Sequence, residues 1–335
     1  MSYLVTGVAG FIGYHLTRAL LDRGEAVAGI DSINDYYDPV LKRARLALLE
    51  PRDGFTFEHV DIADRDAVFA VFARHRFATA VHFAAQAGVR YSLSHPEAYA
   101  RSNLVGFQNM IDAARSGGLA HFVYASTSSV YGLSGSLPFS VGQGADHPTS
   151  LYAATKKSNE LVAHAYSHVY GLPTTGLRLF TVYGPWGRPD MAPYLFTSKI
   201  LNGEPVQIYN NGDHARDFTF IDDCVAGIIA ATDRIAEPNG DWRAGDPDPG
   251  SSSAPFRIYN VGFGQSVPIL DFIAEIEKAS GRSAIRDFQP FQRADMHRTH
   301  ADISRLTRDT GYRPSIPISI GVPRYVAWFR DYYRV

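Results

Sequence analysis

An apolar, strand-like run from Tyr3 to Thr6 leads straight into Gly7-Val-Ala-Gly10-Phe11-Ile12-Gly13. A helical run from Tyr14 to Arg23 follows, with Leu16, Ala19, Leu20 and Leu21 on one face. Glycines at that spacing let the backbone turn tightly and approach a pyrophosphate, while the free N–H groups of the following helix point at it. Few folds accommodate this arrangement. A second apolar run, Ala26 to Ile30, ends in Asp31, where a carboxylate can accept hydrogen bonds from an adenosine ribose and repel a 2′-phosphate. NAD is therefore favoured over NADP. A plain strand-to-helix turn, and an acid ahead of Ser32 acting as a cap, satisfy the same two features without a nucleotide.

The rhythm continues. Phe55 to Val60 reads as a third strand ending in Asp61-Ile62, a place suited to adenine contact or to a helix cap. Ala80 to Phe83 reads as a fourth, opening on the small residues Ala84-Ala-Gln-Ala-Gly88. A helical run from Asn103 to Arg115, a fifth strand from His121 to Ser126 and a sixth from Thr174 to Phe180 complete the alternation. The expected fold is α/β, a doubly wound parallel sheet of the Rossmann type. Residues 1–185 form the dinucleotide-binding part, with returns near 218–235 and 257–262; 186–217 and 263–335 form a smaller, interleaved substrate-binding part. The stretch 181–188 reads as a loop, and 236–256, dense in Gly, Pro, Ser and Asp, as a mobile surface loop. Lys42, Arg43 and Arg45 read as the solvated face of a basic helix.

Of 335 residues, 45% are hydrophobic and 20% charged, enough for a large core. The formal charge of -2, from 32 basic and 34 acidic side chains, gives no field that favours nucleic acid or an anionic membrane, so any phosphate must be held locally. Cys224 is the single cysteine, which excludes an internal disulfide framework. The N-terminal residues lack the pattern of a signal peptide and the chain has no apolar run long enough to span a bilayer, so a cytoplasmic protein is expected. His164 and His168 stand one helical turn apart without a third ligand, and no metal is expected.

Chemistry concentrates in two places. Tyr152-Ala-Ala-Thr-Lys156 puts a phenol and an ammonium on one helix face, where a fixed cation favours the phenolate. Such a phenolate can take a proton from an alcohol, although a Tyr and a Lys on an amphipathic helix need no chemistry. Ser126-Thr127-Ser128-Ser129 lies at the carboxyl end of the fifth strand, the side on which such sheets bind ligands. A Ser/Thr turn bonding its own backbone is the competing reading.

Taken together, Gly7-x-x-Gly10-x-x-Gly13, Asp31, Thr127, Tyr152-x-x-x-Lys156 and the segment Arg216-Asp-Phe-Thr-Phe-Ile-Asp-Asp223 resemble the extended short-chain dehydrogenase/reductase family, among its nucleotide-sugar epimerases. Asn34-Asp-Tyr-Tyr-Asp38, Ala84-Ala-Gln-Ala-Gly-Val-Arg90-Tyr-Ser92 and Leu177-Arg-Leu-Phe-Thr181-Val-Tyr-Gly-Pro-Trp-Gly-Arg188-Pro-Asp190 are similar to its UDP-glucuronate 4-epimerases. The resemblance implies a tightly bound NAD, a UDP-sugar substrate and a homodimer built on the Asn103 and Ser158 helices. It makes Tyr152 the base, Lys156 the holder of the nicotinamide ribose, and Thr127 the partner of the reacting hydroxyl. Arg90, Thr181, Arg188, Arg216 and Asp295 become substrate contacts, Arg216 at the diphosphate and Asp295 at the uridine ribose. Gln292 stands where galactose-type epimerases have arginine, with Arg293 beside it, and either side chain could reach the phosphate. Related decarboxylases have Glu at the place of Ser129, and 4,6-dehydratases have Asp-Glu at Ser128 and Ser129. Decarboxylation to a UDP-pentose, another UDP-hexose epimerisation and a silent dinucleotide-binding regulator remain the alternatives.

Overall fold

The computed structural model describes residues 2–133, 136–290 and 296–335. The first part comprises β1 (Ser2–Thr6), α1 (Phe11–Asp22), β2 (Ala26–Asp31), α2 (Pro39–Leu49), β3 (Phe55–His59), α3 (Arg65–Arg74) and β4 (Thr79–His82). Two short helices, α4 (Tyr91–Ser94) and α5 (Pro96–Tyr99), precede a π-helical stretch, Ala100–Gly106, that runs into α6 (Phe107–Ser116). Then come β5 (His121–Thr127), α7 (Leu151–Tyr170), β6 (Thr174–Leu179), β7 (Thr181–Tyr183), α8 (Ala192–Asn202) and β8 (Pro205–Tyr209). The remainder is β9 (Ala215–Phe220), α9 (Ile221–Asp233), β10 (Phe256–Val261), β11 (Ser266–Pro268), α10 (Ile269–Ser280), β12 (Ile285–Gln289), α11 (Ser304–Thr310) and α12 (Ile318–Tyr333).

Seven strands form one sheet in the order β3-β2-β1-β4-β5-β6-β10, and every neighbouring pair is parallel. Leu4, Val5, Val81, Phe122, Val123 and Ile258 are fully buried, as a parallel sheet covered by helices on both faces requires. The order reverses between β1 and β4, and a crevice opens there at the carboxyl ends of the strands. Gly7 makes this turn with φ +73°, and a Cβ on Gly13 would lie 2.1 Å from the Gly7 carbonyl oxygen. Only glycine lets α1 start this close to β1.

Smaller sheets β11-β9-β7 and β12-β8 carry the second part. Thr181–Tyr183, expected as loop, is therefore a strand; three residues pairing with the distant β9 leave no local period to read. The 236–256 segment has little regular structure but is tied down. Asn239 N–H donates to the Ser252 carbonyl at 2.8 Å, and Arg305 pairs with Asp248 at 2.9 Å. On α2, Arg43 is exposed as expected, but Lys42 and Arg45 are buried. Both cations point inward because backbone carbonyls and an amide meet them: Lys42 bonds the Asn34 carbonyl and side chain, and Arg45 bonds the Ala9 and Trp186 carbonyls.

Three buried histidines give the fold an acid sensitivity. Burial lowers His15 to about 4, against the hydrogen bond to the Pro185 carbonyl. It lowers His82 to about 3, helped by Lys156, and His121 to about 4. All three stay neutral in the fold while an unfolded chain takes up protons below the ordinary histidine value, so stability falls as pH drops from about 6.5 towards 4. At pH about 5 each contributes a loss of ~2 kcal/mol. Asp31 and Asp217, raised by burial, act in the opposite sense near the carboxylate range. Thermal unfolding between pH 7 and 5 should show a steep fall in Tm, which His121→Gln makes shallower; parallel curves would refute the assignment.

Candidate active site

One cavity of about 350 Å³ lies at the switch point, lined by Gly7, Gly10, Phe11, Ile12, Gly13, Asp31, Asp61 and Ile62 on one side. Thr127, Ser128, Ser129, Tyr152, Lys156, Thr181 and Arg188 line it on the other. Residues from seven separate stretches of sequence thus meet in one space.

Helix α1 starts at Gly10 with no side-chain cap, so its first N–H groups are available to an anion. Asp31 ends β2, and its two carboxylate oxygens accept from the N–H groups of Ala9 at 3.0 Å and Ile33 at 2.8 Å. Each oxygen retains a lone pair for a further donor. Burial raises the Asp31 carboxyl, opposed by those two hydrogen bonds and by Lys42. Asp61 fixes its own turn through Ala63 N–H and pairs with Arg101 at 2.8 Å. An uncapped helix terminus, a cradle of glycines and a ribose-type acceptor fit a dinucleotide.

Across the cavity, Ser150 caps α7 by accepting from Ala153 N–H at 3.2 Å. The cap sets the first turn and presents Tyr152 to the end of β5. Burial raises the Tyr152 phenol above its ordinary value, while Arg188 and the Thr127 hydroxyl pull it down. Lys156 is 2% exposed; burial brings its ammonium down to about 8, opposed by Glu160. Burial is thus the largest single influence on the phenol, and the cation beside it works against that influence. Thr127 Oγ1 accepts from Ser129 N–H at 3.2 Å, within a 3-10 turn over Ser128–Tyr131. The hydroxyl cluster is at once a turn and a wall of the cavity.

Two residues that support this site were not singled out in the sequence, Asn103 and Glu160. Asn103, in the π-helical stretch, donates to the Gln86 carbonyl at 2.9 Å and to Thr155 Oγ1 at 3.0 Å, tying the loop after β4 to α7. Glu160 accepts from Arg178 Nε and Nη2 at 2.8 Å each and from Ser126 Oγ at 2.7 Å, directly beneath the hydroxyl cluster. A Tyr-x-x-x-Lys-x-x-x-Glu spacing on one helix face would have flagged Glu160; nothing local marks Asn103.

Arg90 and Arg216 do not line this cavity. Arg90 lies over the Tyr209 ring at 4.4 Å, and Arg216 donates to the Ala215 and His297 carbonyls at 2.9 and 3.2 Å. Both sit around the turn that joins β8 to β9. Asp295, Gln292 and Arg293 lie outside the described residues. Among the described residues no group of three or more His, Cys, Asp or Glu side chains could hold a metal ion, and no helix is long and apolar enough to cross a membrane. His164 bonds Ser252 Oγ at 2.8 Å rather than a ligand set with His168.

A half-buried phenol that shares a cavity with an uncapped helix terminus and a ribose-type acid suits proton removal from an alcohol beside a dinucleotide, which places the chain among dinucleotide-dependent proteins of the short-chain dehydrogenase type. Residues 3–245 match the model of the NAD dependent epimerase/dehydratase family, and the chain belongs to that family. It is 47% identical to Protein CapI of Staphylococcus aureus, covering 100% of both chains. A probable UDP-glucuronate 4-epimerase of Rhizobium meliloti is 45% identical, over 100% of this chain and 98% of the relative. Among solved structures, UDP-glucuronic acid 4-epimerase from Bacillus cereus, in complex with UDP-glucuronic acid and NAD, superposes with a TM-score of 0.88 at 33% identity, over 99% of this chain and 100% of that one.

Proposed function

We propose that the chain interconverts UDP-glucuronate and UDP-galacturonate by epimerisation at C4, with NAD retained throughout. One observation carries the reading: Thr127, Tyr152 and Lys156 share a cavity with the glycine cradle and Asp31, and the same cavity holds Ser128, Ser129, Thr181 and Arg188. The first set handles a proton on an alcohol beside a dinucleotide; the second offers three hydroxyls and a guanidinium to a carboxylate. Relatives and a structural neighbour that carry this activity in their names support it.

Gly7, Gly10, Phe11, Ile12 and Gly13 would hold the pyrophosphate of NAD, Asp31 its adenosine ribose, Asp61 and Ile62 its adenine, and Lys156 its nicotinamide ribose. When bound, it supplies a hydride acceptor at C4 and, oxidised, a positive charge beside Tyr152. That charge adds to Arg188 and Thr127 in offsetting the burial that raises the phenol. Tyr152 takes the proton of the sugar 4-hydroxyl, which Thr127 hydrogen-bonds, and returns it after the ring has turned over. The 4-keto uronate formed between the two is a β-keto acid, and Ser128, Ser129, Thr181 and Arg188 hold its carboxylate against loss of carbon dioxide. Arg90, Arg216 and Asp295 extend the site for the UDP moiety.

Purified protein incubated with UDP-glucuronate without added NAD should give UDP-galacturonate, followed by NMR of the sugar protons. Release of carbon dioxide with a UDP-pentose as the main product would make it a decarboxylase; no reaction even with added NAD would refute the proposal. A cytoplasmic homodimer completes the reading. Exposed Leu104 and Val105 in the π-helical stretch and exposed Leu161 and Val169 on α7 offer an apolar face to a second copy. Sedimentation showing only monomer at micromolar concentration would refute the dimer.

A further inference from the structure

Arg188 stands in the segment between β7 and α8, where Asp190, two residues on, holds its guanidinium and the distant Tyr36 holds Asp190. Asp190 takes it edge-on: Arg188 Nε donates to Asp190 Oδ1 at 3.0 Å, and Nη2 donates to Oδ2. Tyr36, from the loop after β2, donates its hydroxyl to the same Oδ2 at 2.9 Å. Tyr36 and Arg188 both line the cavity. The Asp190 side chain, 25% exposed, is turned to the guanidinium at the edge of the cavity. Burial works against the Asp190 charge, yet Arg188 and the hydrogen bonds hold its carboxyl below the usual range. The pair is therefore an ion pair.

Upstream, the same segment is anchored a second time. Trp186 has φ +63°, a backbone state that costs free energy in a residue of its size. Arg45 Nε and Nη2 hold its carbonyl at 3.2 and 2.7 Å, while Arg45 Nη1 donates to the Ala9 carbonyl at 2.9 Å and the Tyr37 hydroxyl at 2.8 Å. The Trp186 ring packs against the stacked Trp328 and Tyr332 rings, with centroids 5.4 and 4.9 Å away. A strained residue whose carbonyl and ring are both held leaves the neighbouring Arg188 little freedom to swing.

A guanidinium has five N–H groups in a rigid plane. The Asp190 contact occupies Nε–H and one Nη2–H, so the rest of the plane faces in one set direction. We infer that Tyr36 and Asp190 are positioning residues that decide the fate of the keto acid, by locking the Arg188 plane so that its remaining N–H groups hold the substrate carboxylate in the orientation that resists decarboxylation. The inference rests on the UDP-uronate reading above. Loss of carbon dioxide breaks the C5–C6 bond and leaves its electron pair as the enolate of the 4-keto sugar, which then takes a proton at C5. The bond breaks readily when it aligns with the carbonyl π orbital, so a loosely held carboxylate reaches that alignment more often. Asp190 has a second effect, since its charge offsets that of Arg188 beside the phenol. Tyr152 is faced by Tyr99 from α5, Thr127 from β5 and Arg188, and shares the cavity with Lys156 of its own helix; Arg188 in turn is faced by Asp190, Tyr36 and Tyr37.

Tyr36→Phe and Asp190→Asn, each assayed with UDP-glucuronate for UDP-galacturonate and for carbon dioxide, test this. Tyr36→Phe removes one oxygen and should raise the decarboxylated fraction of product about tenfold, the scale of one lost hydrogen bond to a charged group. Asp190→Asn should raise it at least as much. It should also move the rising limb of the rate–pH profile to lower pH, because Arg188 then faces Tyr152 uncompensated; Tyr36→Phe should leave that limb in place. Should Asp190→Asn fail to fold, Tyr36→Phe still decides through the product ratio. An unchanged ratio in the folded variants, including a parallel loss of both products, overturns the inference while leaving the epimerase reading intact. Absence of UDP-galacturonate from the unsubstituted protein overturns the epimerase reading instead.

Discussion

Tyr152→Phe is expected to lower turnover of UDP-glucuronate by about 10²- to 10⁴-fold, the range for loss of a positioned general base, with little change in KM. The phenyl ring fills the same space, so α7, its Ser150 cap and the cavity wall are kept. What disappears is the oxygen proposed to accept the proton. Asp31 and Asp61, the carboxylates that line the cavity, lie at the ends of β2 and β3 on the side of the glycine cradle. Neither can substitute for an oxygen beside Thr127. Turnover by NMR together with a substrate-binding titration checks this; undiminished turnover would remove Tyr152 from the chemistry.

Arg178→Met is expected to destabilise the protein by ~3–5 kcal/mol, the cost of leaving a buried partner charge unpaired. Arg178 is fully buried and holds both oxygens of Glu160, which is itself 3% exposed. Lys157, 3.5 Å from Glu160, remains and keeps the loss towards the lower end. Burial raises the Glu160 carboxyl, but Arg178 more than reverses it, so the folded value lies below the unfolded one. In the intact protein this pair therefore stabilises above the ordinary glutamate value, and its contribution is lost as pH falls through the folded value. Without Arg178 burial dominates and the sign reverses, so the gap between variant and parent should narrow on acidification. Adding Glu160→Gln should recover most of the loss, since an amide is cheaper to bury than a charge. Urea denaturation at pH about 7 and 5 measures both effects; a gap that is small or independent of pH would refute them.

The glycine turn and Asp31 were legible because they depend on neighbours in sequence: a strand, a tight turn and a helix must follow one another for α1 to aim at an anion. The strand alternation was legible for the same reason, and so was the Tyr152–Lys156 pair, since i and i+4 share a helix face. The hydroxyls at the end of β5 followed once that strand was placed. By contrast, the burial of Lys42 and Arg45 was invisible, since a basic helix reads as solvated until the carbonyls of Ala9 and Trp186 are brought to it.

The sequence by itself determined the glycine turn, the parallel sheet and the Tyr152–Lys156 pair proposed to handle a proton, all of them patterns repeated over one turn or one strand. Only the tertiary structure decided how the site is held. Tyr36 and Asp190 stand 154 residues apart, Arg45 and Trp186 141, and each pair meets only after β2 and the segment before α8 converge on the same crevice. The physical reason is directional: a side-chain hydrogen bond needs its partner within about 3 Å and in line, and no local periodicity of the chain encodes where a residue that distant will arrive.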